Sequence, residues 1–400
     1  MTKPLGLVLA SALTVACIGL APLLQPAWLL SGLIIPFSLV LFLIRGTKYT
    51  SISIIALAVL YGLGWLSLFV FASTLGIIVI GEMVFRFTGS RQISYLYYML
   101  AAVAVSSLVM LYLQYTAPLT VIMGVVVAVL FRAALRGRDD ALMIEALGVA
   151  MTMYLFEEIN FEVDLSLLLA AALIAFGFGY FSYRLRAADV SGLFSGAMIG
   201  IILIVFADVR WFLIMLTFYI IGVAATRYRF SDKERLGVAE AHGGVRGYFN
   251  VFSNGLVATG AAILYGITGH PIFVALFLGS VASAAAATAA SEIGVTGKTP
   301  YLITSFKPVP RGTNGGVTLR GEAAAIIAAA FVATAAYLMG VADPWMVILT
   351  IIAGFVGTNV DSLVGATLEN SGKIGNSGTN LTATFIGGIS AMVLYFLIPA

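Results

Sequence analysis

Apolar runs of about 17–22 residues recur along this chain from Leu5 to Ile398, each long enough to cross a hydrocarbon core of about 30 Å. Lipid offers no hydrogen-bond partner to an open sheet edge, so a chain built this way folds as a bundle of helices. About fifteen such runs (about 13–16) are expected to span the membrane. Charge agrees with this: 10% of the 400 residues are Asp, Glu, Lys or Arg, against about a quarter in soluble domains. The predicted class is an all-α, polytopic integral membrane bundle.

Lys3 and the apolar run behind it imitate a secretory signal. No small-residue cleavage site follows, and Gln25-Pro26 leads directly into the next apolar run, so the first run reads as a spanning helix. Cys17 is the sole cysteine and lies within that run, which excludes internal disulfides and thiolate metal clusters. His242 and His270 fall in different loops, which argues against a histidine metal site.

The basic residues occupy alternate connections. From the middle of the chain these are Arg184 and Arg186, then residues 227–246, then 298–320, then Lys373; 12 of 13 basic residues there share one side, with Arg210 the exception. The positive-inside rule makes that side cytoplasmic. Lys3, Arg45 and Lys48, Arg86 and Arg91, and Arg132, Arg136 and Arg138 follow the same rhythm if residues 51–85 form two helices. The N-terminus and the basic loops are then expected in the cytoplasm. For the groups up to Arg186, setting topology and binding headgroups are sufficient roles.

Three later loops carry more than charge. In "AHGGVRGYFNVFSNG", Arg246, Asn250 and Asn254 are four apart and share a helical face. In "GSVASAAAATAASEIG" the small residues favour close helix packing, and Glu292 stands at its end. Lys298, Lys307 and Arg311 follow, then Gly312, Thr313, Asn314, Gly315 and Gly316. Glycines let backbone N–H groups converge on an anion that flanking cations neutralise. The spacing is not that of the G-x-x-x-x-G-K-[ST] phosphate loop. In "GTNVDSLVGATLENSGKIGNSGTN", Asp361 and Glu369 are about two helical turns apart. With Glu292 they are candidate oxygen ligands for Mg²⁺, which takes one or two carboxylates plus substrate phosphates. Capping of a solvated helix end is the plainer account of Glu369.

Taken together, "GGVRGYFNVFSNG", "ASEIG", "LITSFKPVPRGTNGGVTLRG", "VDSLVGATLEN" and "NSGTN" resemble a family of integral membrane proteins long described as a domain of unknown function. That family includes the plant chloroplast phytyl-phosphate kinase and a human transmembrane relative. The resemblance runs over roughly residues 187–400 and leaves residues 1–186 as a helical membrane block of unassigned role. It implies phosphoryl transfer from CTP or ATP to an isoprenyl monophosphate of the phytyl or geranylgeranyl type, with cytoplasmic loops at 227–248, 292–321 and 361–380. It further implies that Lys307, Arg311 and the 312–316 turn cradle the triphosphate, with Lys298 nearby. Arg246, Asn250 and Asn254 would hold phosphate or ribose, Glu292, Asp361 and Glu369 would bind Mg²⁺, and Asn376 and Asn380 would complete the pocket. Lys307, Asp361 and Glu292 are the catalytic candidates. The chain departs from the family at Ala287-Thr288, where an Asp-Thr pair is expected.

The expected partners are therefore an isoprenyl-phosphate lipid, a nucleoside triphosphate and membrane lipid, with no nucleic acid. Nucleotidyl transfer to a lipid phosphate would use the same loops. A transporter or flippase would instead place its polar residues at the bilayer midplane, where Glu82 and Glu145 are the clearest acids. A non-catalytic lipid-binding protein is the remaining alternative.

Overall fold

Short polar residues start many of these helices by occupying backbone N–H groups that have no partner inside the helix. Ser67, Asp189, Thr318 and Asp343 each accept a first-turn N–H at 2.7–3.1 Å. The computed structural model describes residues 4–44, 46–89 and 92–397. Lys3, Arg45 and Arg91, used in the charge argument, lie outside them. Among the described residues, nine helices are long and apolar enough to cross a membrane, and five further apolar helices are shorter. The all-α, polytopic class holds. Nine is the number of crossings that length and composition support, below the expected fifteen or so.

The chain divides into two compact units, Met1–Leu168 and Leu169–Ala400. The first contains α1 (Pro4–Leu20), α2 (Ala27–Phe42), α3 (Lys48–Gly62), α4 (Leu68–Phe87), α5 (Gln92–Leu113), α6 (Pro118–Ala134) and α7 (Ala141–Ile159). Residues 51–85 are thus split between two helices, α3 and α4. Helix α4 is largely buried, and its Glu82 is answered by cations: Arg86 Nε at 2.6 Å and Arg132 Nη1 at 2.8 Å. Arg132 also reaches Glu145 Oε2 at 2.7 Å, while Tyr98 donates to Glu145 Oε1 at 2.5 Å. The two acids that suited a transporter are therefore neutralised within their own unit.

The second unit takes in most of α8 (Leu165–Arg184), then α9 (Val190–Phe206), α10 (Val209–Arg227), the short α11 (Phe230–Arg235), α12 (Tyr248–Thr268) and α13 (Ile272–Gly294). A small hairpin, β1 (Tyr301–Leu302) and β2 (Gly316–Val317), pairs Tyr301 with Val317 and Leu302 with Gly316. Helices α14 (Leu319–Leu338), α15 (Pro344–Val364) and α16 (Asn376–Leu397) complete it, and one π turn (Gly365–Glu369) extends α15. Helix α13 is the buried axis. From residue 279 to 290 it carries only Gly, Ala and Ser apart from Val281 and Thr288, so neighbouring backbones approach closely. A Cβ on Gly279 would lie 2.6 Å from the Gly387 carbonyl of α16. Ser283 Oγ donates to the Ala383 carbonyl of α16 at 2.9 Å.

Removing Arg132 takes away the only cation paired with Glu145 among the described residues, while Glu82 keeps Arg86. Arg132→Ala is expected to destabilise the protein by about 3–5 kcal/mol, read as a lowered unfolding midpoint in detergent. An unchanged midpoint would mean that the buried acids need no counter-charge.

Candidate functional site

At one end of the second unit the starts of α12, α14 and α16 meet the ends of α13 and α15. Between them lies a polar cavity of about 210 Å³. Three helix N-termini favour negative charge there, and two C-termini favour positive charge beside them. Helix α12 contributes Asn250, with Arg246 and Glu240 from the segment before it. Helix α13 contributes Ala287, Thr288, Ser291 and Glu292; α15 and its π turn contribute Thr358, Asp361, Ser362 and Glu369; α16 contributes Asn376, Thr379 and Asn380.

The hairpin delivers Gly312, Thr313, Asn314, Gly315 and Gly316 to the cavity wall. The turn is seated by Gly316 N–H on the Thr313 carbonyl at 3.0 Å and by Ile303 N–H on the Gly315 carbonyl at 3.0 Å. Asn370 Nδ2 donates to the Asn314 carbonyl at 3.2 Å, tying the turn to the end of α15. Gly315 has a φ of +78°, and a Cβ there would lie 2.6 Å from the Ser362 carbonyl.

Arg246 is 6% exposed. Its backbone is clamped on the segment before α9, with Asp189 N–H donating to its carbonyl at 3.1 Å and its own N–H donating to the Ala187 carbonyl at 3.0 Å. Its guanidinium lies over the rings of Phe218 (5.6 Å) and Tyr219 (5.1 Å). Among the described residues it makes no ion pair and no side-chain hydrogen bond. Burial pushes its pKa below the ordinary arginine value, while Tyr219, Glu240 and Glu292 pull it back up.

Among the described residues Asp361 also lacks a partner: its Oδ1 is buried with no donor. Glu369 Oε2 accepts from Thr379 Oγ1 at 2.8 Å. Glu292 is paired with Lys233, a fully buried lysine that also donates to the carbonyls of Ala225 (2.9 Å) and Thr226 (3.0 Å). Among the described residues no three acidic, histidine or cysteine side chains gather into a metal-binding group.

Four of the expected residues do not line this cavity. Lys298, Lys307 and Arg311 are exposed and are not among the residues that line it. Lys307 is held in the preceding turn, its carbonyl accepting Leu302 N–H at 2.9 Å. Asn254 is buried one turn deeper in α12, where its amide donates to the Asn250 carbonyl at 2.9 Å. Conversely, Lys233, Glu240 and Glu322 escaped the sequence reading. Lys233 sits in an ordinary charge run, "SDKER", and nothing in that run signals a partner on α13. Glu322, in the first turn of α14, accepts from Asn359 Nδ2 at 3.4 Å.

A helical membrane unit with one polar, anion-suited cavity at its end is the class that fold and site define. The chain belongs to the family described as "Integral membrane protein DUF92", which matches residues 173–392. It is 33% identical over 211 residues to an uncharacterized membrane protein of Methanocaldococcus jannaschii, covering 52% of this chain and 87% of that one. It is 35% identical over 200 residues to an uncharacterized membrane protein of Synechocystis, covering 49% and 78%. With "Protein VTE6, chloroplastic" of Arabidopsis thaliana it shares 31% identity over 192 residues, covering 46% and 58%. No solved structure matches.

Gly315→Ala forces a left-handed backbone on a residue with a Cβ, at about 1–2 kcal/mol, and drives that Cβ against α15. The expected outcome is faster limited proteolysis within residues 298–318 with the helical content unchanged. Proteolysis at the wild-type rate would mean that the turn is not seated on α15.

Proposed function

We propose that this protein is a membrane kinase that transfers a phosphoryl group from CTP or ATP to an isoprenyl monophosphate, giving the diphosphate. The observation that carries the proposal is the pairing of a buried, unanswered cation with a buried, unanswered carboxylate oxygen in one polar cavity. A phosphate ester and its counter-cation satisfy both at once. Membership of a family that includes a phytyl-phosphate kinase supplies the substrate class. The basic loops beside the cavity favour a cytoplasmic orientation by the positive-inside rule, and nucleotides are available on that side, which supports the reading.

Phosphoryl transfer depends on positioning and charge neutralisation more than on covalent work by the protein. An oxygen of the lipid phosphate attacks the γ-phosphorus of the nucleotide. The bond to the β-phosphate oxygen breaks, and the nucleoside diphosphate leaves. The attacking oxygen is already ionised near neutral pH, so no general base is required. Arg246 neutralises the lipid phosphate, and the 312–316 turn with the starts of α14 and α16 offers N–H groups to the triphosphate. Asn250, Asn376 and Asn380 orient the reacting groups by their amides.

Mg²⁺ suits the acidic side of the cavity, since one or two carboxylates with substrate phosphates are its usual protein ligands. Asp361, whose Oδ1 has no donor, and Glu369 would hold it. Glu292 is already neutralised by Lys233 and serves to fix the cavity wall. When bound, the ion supplies further neutralisation of the phosphate oxygens. Ala287, where the family pattern has Asp, lines the same cavity, so the carboxylate side rests here on Asp361 and Glu369.

The test is transfer by purified protein in detergent, with geranylgeranyl or phytyl monophosphate, Mg²⁺ and γ-labelled CTP or ATP. Label is expected in the prenyl diphosphate. Arg246→Ala and Asp361→Asn are each expected to lower turnover by about 10²–10³-fold, more than Lys307→Ala, whose ammonium lies outside the cavity. Release of pyrophosphate with the nucleoside monophosphate retained on lipid would instead identify nucleotidyl transfer. Absence of both products with intact protein would overturn the catalytic reading.

A further inference from the structure

A second cavity in the same unit is apolar and plays no part in the chemistry above. It is a narrow slot between α8, α9, α10 and α12, walled by residues such as Phe178, Leu203, Phe212 and Met215. Along α9 its lining runs from Gly192 to Leu203, about 16 Å at a rise of about 1.5 Å per residue. That is about half the thickness of a hydrocarbon core of about 30 Å. Gly192, Gly196 and Gly200 are four apart, lie on one face of α9 and line the slot. A Cβ at Gly192 would collide with the Arg246 carbonyl, so that end is closed by backbone, whereas Gly196 faces open space.

Glycine spacing alone would indicate only close packing. The difference is at the head of the slot. Arg246 and Asn250 line both this cavity and the polar one. Arg246 is more than nine-tenths buried, and its guanidinium meets no acceptor among the described residues. An anion bound by Arg246 would therefore have a polar cavity on one side and an apolar slot on the other. A phosphate ester of a long hydrocarbon fits that division.

We propose that the slot holds the isoprenoid chain of the lipid phosphate, with Arg246 and Asn250 presenting its headgroup to the polar cavity, and that Gly196 controls how far the chain enters. The proposal rests on the prenyl-phosphate reading. A chain leaving the bilayer for the slot gains little hydrophobic free energy, because lipid tails are equally apolar. The slot acts by alignment instead: a chain held along α9 carries its phosphate to Arg246. Gly196 is the control point because a Cβ there meets nothing within 4 Å. At Gly200, by contrast, a Cβ would lie 2.9 Å from Ala175 and 3.1 Å from Phe212.

The experiment compares wild type and Gly196→Phe in detergent with geranyl, farnesyl and geranylgeranyl monophosphates. Gly196→Phe is expected to lower kcat/KM for geranylgeranyl phosphate by about 10-fold or more relative to geranyl phosphate, with the KM for nucleotide unchanged. An unchanged chain-length ratio would overturn the slot and leave the kinase reading standing. A second measurement does not depend on turnover or on the variant's folding. Geranylgeranyl phosphate carrying a diazirine at the chain end is photolysed with wild-type protein. Label on residues 192–203 or 212–219, competed by unmodified geranylgeranyl phosphate, supports the slot even if no phosphoryl transfer occurs. Label confined to other segments overturns it.

Discussion

The second unit depends on how narrow α13 is. Over residues 279–290 its side chains extend little beyond a methyl or hydroxymethyl group, apart from Val281 and Thr288. In a bilayer the association of helices comes from packing and interhelical hydrogen bonds, because the tails compete equally for apolar surface. A thin central helix lets α14, α15 and α16 approach it at once. The contacts of Gly279 with Gly387 and of Ser283 with the Ala383 carbonyl express this. Wider side chains along that stretch would push α16 outward, and Asn376, Thr379 and Asn380 would leave the cavity with it.

Because the helices alternate in direction, that packing brings two C-terminal ends and three N-terminal ends to one level. The result is a cavity with opposite preferences on opposite walls. Asp361 and Glu369 lie at the end of α15, where backbone carbonyls favour a cation, whereas the glycine turn and the starts of α14 and α16 favour an anion. A nucleotide with its metal ion presents the same division of charge. The hairpin matters here chiefly because it places Gly312 and Gly315 on the wall, each with a positive φ.

Much of this was legible in the sequence because apolar run length and clustered Gly, Asn and Asp are local signals. The helical class follows from such signals, and Arg246, Asn250, Asp361, Asn376 and Asn380, singled out by the motifs, line one cavity. What was not legible depends on direction and on distant pairing. Lys298, Lys307 and Arg311 belong to the right loop, yet they are exposed while Gly312 to Gly316 line the cavity. Asn254 shares a helical face with Asn250, but it lies one turn too deep and spends its amide on the backbone. Lys233 and Glu292 are 59 residues apart in sequence, and no periodicity links them. Run length alone does not fix the number of crossings, because apolar helices of 17 residues such as α1, α6 and α9 lie at the lower margin of what spans a membrane.

Lys233 and Arg246 make the sharpest comparison in the molecule. Both are cations removed from water, which costs several kcal/mol each unless compensated. An ammonium has three donors, and those of Lys233 serve the carbonyls of Ala225 and Thr226 and the carboxylate of Glu292. That lysine is finished: it holds α11 and the end of α10 against α13 and has nothing left for a ligand. Arg246 has five N–H donors and two aromatic faces, each worth about 2 kcal/mol when desolvated. Glu240 and Glu292 attract the charge from a distance, but among the described residues its N–H donors meet no acceptor. A fold that saturates one buried cation and leaves its neighbour open has room in its stability for a charged guest, and an anion at Arg246 is the guest that removes the deficit.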